Sequence, residues 1–241
     1  MSERVLAVIP ARWAAQRFPG KPLATLWGKP MLRHVWERAR AAHGLDELLI
    51  ATDDERIAAA ARGFGAAVEM TSPGCASGTD RVAEVARRRP EASIVLNLQG
   101  DEPELETEAV GRLAAVMRAE PEVRMGTIAH HEPDTAKLAS ENVVKVVVDD
   151  REFALYFSRA DLAAGSRGGP ALRHAGVYAF RRELLLEFAT WPPGALERAE
   201  RLEQLRAVER GVRIKVVLGR RPFAGVDTPE QLAELESRGP R

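Results

Sequence analysis

Val5-Leu-Ala-Val-Ile9-Pro-Ala-Arg-Trp-Ala-Ala-Gln-Arg-Phe-Pro-Gly-Lys-Pro-Leu23 opens with five apolar residues and then changes character at once. A continuous apolar run this short reads as a buried strand of a mostly parallel sheet. The residues after it form a loop at the strand's carboxyl end, where open α/β sheets bind their ligands. That loop carries Arg12, Arg17 and Lys21, and Gly20 lets its backbone approach a ligand closely. Such a loop can wrap a triphosphate with backbone N–H groups and point charges. It is not a P-loop, because the pattern of glycine, four residues, then Gly-Lys-Ser/Thr is absent. Nor does it hold the Gly-x-Gly-x-x-Gly dinucleotide fingerprint. Three cations on a solvated loop are the plainer alternative, and their strand-end position speaks against it.

Working outward, short apolar runs alternate with segments of helical period, as in a parallel sheet covered by helices. Strands are expected at Leu48–Thr52, Ala67–Met70 and Ile94–Leu98. Helices are expected at Met31–Ala42, Asp54–Arg62, Thr79–Arg89 and Thr107–Ala119, the last stopped by Pro121. After about Gly126 the rhythm changes. Val143–Val148 and Phe153–Phe157 read as a β-hairpin around Asp149-Asp150, and Gly165–Pro170 as a mobile loop. A strand at His174–Phe180 and helices at Arg182–Thr190 and Ala195–Glu209 follow. Ile214–Leu218 is a last strand, and Pro229–Ser237 a closing helix with Thr228 as its cap. The expected architecture is one α/β domain over residues 1–241, with a strand-rich excursion at about 130–180.

Composition narrows the class. Hydrophobic residues make up 45% of the 241, enough to bury a sizeable core. Lys+Arg 35 balances Asp+Glu 35, which argues against a protein that coats a polyanion. The single cysteine, Cys75, excludes an intrachain disulfide and reads as a bystander thiol. No stretch approaches the roughly 20 apolar residues of a membrane span, and the apolar run after Arg4 is too short for a signal peptide. A cytoplasmic protein is expected.

Two more strand ends carry polar clusters. Asn97-Leu-Gln-Gly-Asp-Glu-Pro103 presents Asp101 beside a glycine, suited to Mg²⁺ or equally to a simple turn. Gly225-Val-Asp-Thr-Pro-Glu230 presents Asp227 as a second metal ligand or as part of the helix cap. His130-His131-Glu132 invites a metal reading, but adjacent strand residues point to opposite faces and cannot share one ion. His34 and His43 are placed on the first helix, at or near the surface.

Taken in order, these segments resemble the CMP-Kdo synthetases (3-deoxy-manno-octulosonate cytidylyltransferases). The resemblance runs through Pro-Ala-Arg and Pro-Gly-Lys-Pro-Leu, Ser77-Gly-Thr-Asp-Arg81, Leu98-Gln-Gly-Asp-Glu-Pro103 and Tyr156-Phe-Ser-Arg159. It continues through Arg173-His-Ala-Gly-Val-Tyr178, Leu202-Glu-Gln-Leu-Arg206 and Val226-Asp-Thr-Pro229, essentially the whole chain. It implies a three-layer αβα fold like that of the nucleotide-diphosphosugar transferases, with a mostly parallel mixed sheet. It also implies transfer of CMP from CTP to Kdo with Mg²⁺, for lipopolysaccharide synthesis, by a homodimer paired through the strand-rich segment. By position, Arg12 and Lys21 match the triphosphate grip with Arg17 supporting it, and Ala11 is a further nucleotide-binding position. Ser77, Gly78, Arg81 and Gln99 match the groups that read cytosine and ribose. Asp101 and Asp227 match the metal ligands, and Arg159, His174, Tyr178, Glu203 and Gln204 the sugar-acid side.

Two departures stand out. Ala15 and Gln16 replace a serine and a threonine common in the family. Leu162–Pro170 is shorter and richer in glycine than the family's loop, with Arg167 the counterpart of its second arginine. A cytidylyltransferase for another acidic sugar and a catalytically inactive nucleotide-binding module are the competing readings. Two metal carboxylates argue against the second, since a degenerate binder needs neither.

Overall fold

Val5, Ala7 and Val8 are wholly inaccessible, and the side chains of the first strand feed two different cores. Val5, Ala7, Ile9 and Ala11 pack into one hydrophobic cluster, Leu6 and Val8 into another. That two-sided burial is why the strand reads as an unbroken apolar run instead of an alternating one. The computed structural model describes residues 3–13, 18–162, 171–223 and 225–240. Arg17 and Arg167, the Ala15-Gln16 departure and the Gly165–Pro170 loop all lie outside the described residues.

Strand β1 spans Val5–Ala11, β2 Thr25–Leu26 and β3 Lys29–Pro30. Helix α1 (Met31–Arg40), β4 (Glu47–Thr52), α2 (Glu55–Gly63) and β5 (Ala67–Met70) complete the first winding. The chain then crosses back through α3 (Gly78–Arg87) to β6 (Ile94–Asn97), and α4 (Thr107–Ala119) leads to β7 (Met125–His130). A short α5 (Thr135–Ala139) precedes the antiparallel hairpin of β8 (Lys145–Val148) and β9 (Ala154–Ser158). Then come β10 (Leu172–Arg181), α6 (Arg182–Phe188), α7 (Ala195–Glu200), α8 (Leu205–Glu209), β11 (Ile214–Gly219) and α9 (Pro229–Arg238).

The main sheet runs β11-β7-β10-β6-β1-β4-β5 among the described residues. All neighbours pair in parallel except β10, which is antiparallel to both β6 and β7. The strand-rich excursion is not a separate layer: β8 pairs with the first residues of β10 through Leu172 and Val146. Helices α1, α2 and α4 cover one face; α3, α6 and α8 cover the other. The result is the expected three-layer αβα sandwich. Burying a large apolar side chain such as Phe180 or Phe188 contributes roughly 1.5–3 kcal/mol, and both are at most 1% exposed.

Three expectations need correction. Met125–His130 is a strand buried along its whole length, where the sequence pattern shows only a change of rhythm. Gly126 is required there, because a Cβ would lie 2.8 Å from Leu113 of α4. The single helix expected over Ala195–Glu209 is two, broken at Arg201, whose φ of 55° and ψ of 45° are left-handed. His43 lies beyond α1, which ends at Arg40, and is exposed.

Candidate active site

Chain order reverses across the sheet between β1 and β6: β1 leads to β4 and β5 on one side, and the chain then returns to β6 on the other. A crevice opens at the carboxyl ends of strands flanking such a switch point. Here it is a cleft of about 560 Å³ lined by Ala11, Arg12, Lys21, Ser77, Gly78, Arg81, Gln99, Asp101 and Asp227, among others. Every nucleotide-side residue expected from the sequence, except the undescribed Arg17, lines this one cleft.

Local chemistry explains how each wall is held. Gly20 sits at φ 72°, and a Cβ there would lie 3.0 Å from the Trp13 ring, so only glycine closes the loop this tightly. Its N–H donates to Trp13 O at 3.0 Å, and Trp13 is itself capped by the Arg56 guanidinium 3.6 Å from its ring centre. Lys21 is thereby turned inward. Across the cleft, Ser77 and Asp80 form a reciprocal capping box at the start of α3. This helix end brings partial positive charge to the cleft, favourable for an anion. Arg12 reaches across to Ala76 O at 3.5 Å. Arg81, 2% exposed, lies 3.2 Å from Asp53 and donates to Thr71, so it stiffens the wall from within. Asp53 and Thr71 were not singled out in the sequence, though Asp53 follows a strand end as Asp101 does.

The acidic wall converges on one point. Lys21 Nζ donates to Asp101 Oδ2 and stands 3.5 Å from Asp227 Oδ1. The two carboxylates come from segments far apart in sequence, joined by Val226 N–H donating to Asp101 O at 2.8 Å. Asp227 also borders the cap of α9, where Thr228 accepts from Gln231 N and Gln231 Oε1 accepts from Asp227 N. Asp227 thus stands at the helix cap while its carboxylate faces the cleft. A pair of hard oxygen donors already arranged around one positive charge suits Mg²⁺, which takes one or two carboxylates and fills its other positions with phosphate oxygens and water. No group of three or more His, Cys, Asp or Glu suited to a metal occurs among the described residues. The His130-His131 reading falls with it, since His130 is buried and His131 exposed. Burial pushes the Cys75 thiol up to about 11, which leaves it without nucleophilic character at neutral pH.

Beside Asp101, Glu102 is 6% exposed and accepts from Gly176 N at 3.0 Å. Burial, then the Asp101 charge, pushes its carboxyl up to about 8.

The acceptor-side residues are less tightly gathered. A second hollow adjoins the cleft, sharing Ser77, Gly78 and Gln99, and is lined by Arg201, Glu203 and Arg206. Glu203 accepts from Thr79 Oγ1, which in turn accepts from Asn97 Nδ2 at 3.2 Å. Burial raises the Glu203 pKa. Neither hollow is lined by Arg159, His174, Tyr178 or Gln204. Arg159 instead extends to Glu141 O at 3.2 Å. His174 and Tyr178 lie together on β10 with ring centres 5.5 Å apart, and Gln204 is 4% exposed. His174 Nε2 and Thr127 Oγ1 are 2.9 Å apart.

Burial, reinforced by His130, pushes the His174 pKa down to about 3. A histidine held neutral contributes stability that is present above its unfolded pKa of about 6.5 and lost as pH falls toward the folded value. Thermal stability is expected to fall between pH 6.5 and 5 by at most about 1.4 kcal/mol per pH unit from this group. His174→Asn should flatten that window in a melting-temperature series; an unchanged slope would reject the assignment.

An open α/β sheet that gathers cations, a helix N-terminus and a pair of carboxylates at its switch-point cleft has the layout suited to a nucleotidyltransferase. The comparisons agree. A sequence profile for the family described as cytidylyltransferase matches residues 6–214. The chain is 51% identical over 246 residues to a 3-deoxy-manno-octulosonate cytidylyltransferase of Anaeromyxobacter sp. (strain Fw109-5), covering 99% of each. It is 44% identical to an 8-amino-3,8-dideoxy-manno-octulosonate cytidylyltransferase of Shewanella sp. (strain ANA-3), covering 97% of this chain and 98% of that one. A solved CMP:2-keto-3-deoxy-manno-octonic acid synthetase complexed with CTP superposes with a TM-score of 0.92 at 40% identity, covering 98% of each chain. The chain belongs to the CMP-Kdo synthetase family of cytidylyltransferases.

Proposed function

We propose that this enzyme transfers CMP from CTP to the anomeric hydroxyl of Kdo. The hydroxyl oxygen forms a bond to the α-phosphorus, the bond to the bridging oxygen breaks, pyrophosphate leaves and the hydroxyl proton passes to solvent. The observation that carries the reading is the convergence of the nucleotide-side residues on one switch-point cleft, with two carboxylates around the Lys21 ammonium. Asp101 and Asp227 would hold Mg²⁺, which when bound supplies charge neutralisation at the phosphates. Arg12, Lys21 and the start of α3 grip the triphosphate, and the resemblance adds Arg17 as a supporting cation. Gln99 stands between the two hollows, suited to reading the cytosine beside Ser77, Gly78 and Arg81. Arg159, His174, Tyr178, Glu203 and Gln204 form the sugar-acid side, with the Arg159 fork taking the carboxylate. Catalysis of this kind is positioning and charge stabilisation, with no covalent work for a side chain.

Two further parts belong to the same reading. The chain works as a homodimer, supported by the hairpin β8–β9, whose outer strand bears Leu155 at 60% exposure. It acts in the cytoplasm, where CTP is made; no helix among the described residues is long and apolar enough to cross a membrane.

The test is pyrophosphate release with Mg²⁺ across two donors and three acceptors. UTP should be at least about tenfold poorer than CTP, because a pocket built for the exocyclic amino group leaves its own polar groups unpaired against a carbonyl. Kdo should be preferred over its 8-amino analogue and over N-acetylneuraminate. Equal rates with CTP and UTP would remove the base-reading role of Gln99. A preference for either other sugar would reassign the acceptor while leaving nucleotidyl transfer intact.

A further inference from the structure

Away from the cleft, two charged side chains bracket one residue. Glu200, the last residue of α7, accepts from Ser158 Oγ at 2.6 Å and from Arg159 N at 2.9 Å. Lys145 of β8 is wholly inaccessible and donates from Nζ to Ser140 O at 2.9 Å, to Val143 O at 2.7 Å and to Arg159 O. A buried ammonium is costly unless its three donors are all used, and here they are. The backbone of Arg159 is thus held at its N–H by a carboxylate and at its C=O by an ammonium.

Glu200 makes no ion pair with an arginine or lysine side chain within 4 Å among the described residues; its partners are the Ser158 and Tyr156 hydroxyls and the Arg159 N–H. It acts through these directed hydrogen bonds, within the field of the nearby Lys145 ammonium. The next residue, Arg201, takes the left-handed conformation that ends α7 and turns the chain toward Glu203 and Gln204. Arg201 and Glu203 line the hollow beside the nucleotide cleft. One carboxylate thus joins the end of β9 to the corner between α7 and α8.

We propose that Glu200 is a positioning residue for the acceptor, coupling the β9 end that carries Arg159 to the corner that carries Glu203 and Gln204. The two groups of sugar-side residues, some forty positions apart in sequence, then hold one arrangement through Glu200. Lys145 fixes the same strand end from the opposite side. The proposal rests on the acceptor-side reading given above, and Arg159→Lys, measured in parallel, tests that reading by itself.

Steady-state kinetics on the full-length enzyme separates the two. Glu200→Ala should raise the KM for Kdo roughly ten- to a hundredfold, the scale of lost charged hydrogen bonds, while the KM for CTP stays within about twofold. Glu200→Gln keeps an acceptor for Arg159 N and a group for Ser158, and should recover most of the loss. A second measurement does not depend on the acceptor. Amide hydrogen exchange at residues 157–159 and at residues 201–205 should quicken together in Glu200→Ala, and residues of the first loop should be unaffected. If Glu200→Ala fails to fold, Glu200→Gln and Ser158→Ala carry the same exchange comparison. Exchange that quickens in only one of the two segments overturns the coupling, as does a rise in both KM values alike. If Arg159→Lys leaves every acceptor's KM unchanged while the exchange result holds, the acceptor reading falls and the coupling stands.

Discussion

Asp101→Asn and Asp227→Asn should each reduce turnover at least about 100-fold, the scale lost when one preorganised charge-stabilising group is removed. Asparagine has nearly the same shape and can still accept from Lys21, so neither change should disturb the loop geometry. Asp101 O also continues to accept from Val226 N at 2.8 Å, since that bond is main chain to main chain. What each variant loses is one negative charge at the point where two carboxylates surround a cation. Kinetics should therefore be joined by a binding readout, such as Mn²⁺ titration followed by electron paramagnetic resonance. Each variant is expected to weaken Mn²⁺ binding in the presence of CTP while its melting temperature stays near that of the wild type. Near-normal turnover at saturating magnesium in either variant would remove that residue from the metal site. A loss of turnover with unchanged Mn²⁺ affinity would assign the carboxylate another role.

How much of this was legible in the sequence depended on whether the chemistry was local along the chain. The phosphate-side loop, Gln99 and Asp101 sit within a few residues of apolar runs that announce strand ends, so their positions in the fold followed from a parallel-sheet reading. Capping chemistry was equally local: Thr228 and Pro229 mark the start of α9, and the structure places the cap there. Strand β7 was missed because it is buried on both faces, has no alternation and begins with Met125-Gly126, which carries weak strand preference. The break at Arg201 was hidden because the residues on either side continue a helical pattern, and nothing about arginine signals a left-handed backbone. Tertiary links were illegible for a different reason. Thr79 and Glu203 are 124 residues apart, and no spacing rule joins them. The resemblance supplied Arg159, His174, Tyr178 and Gln204 without their geometry. The structure does not place them along the walls of either hollow.

Lys21→Met should lower kcat/KM for CTP roughly ten- to a hundredfold, as expected for loss of a charged hydrogen bond to phosphate, and should strengthen divalent-cation binding in the absence of nucleotide. The two effects come from one arrangement. Lys21 is largely sheltered, with 14% of its side chain exposed, and its ammonium lies between Asp101 and Asp227. Methionine preserves most of the apolar stem, so packing against the loop is retained and the change is one of charge. With the ammonium removed, the two carboxylates lose the positive charge that Lys21 supplies between them, and an added cation no longer competes with it. The melting temperature of the variant should therefore drop at neutral pH and recover when magnesium is added, whereas wild type should respond little to magnesium alone. With CTP present the balance changes. Phosphates in the cleft would bring negative charge and draw toward them an ammonium that neutralised carboxylates, a redistribution that methionine cannot supply. Stronger Mn²⁺ binding alone and weaker use of CTP would together establish that Lys21 serves both partners. Unchanged CTP kinetics with an unchanged melting temperature would remove Lys21 from the triphosphate grip and leave the triphosphate to Arg12 and the start of α3.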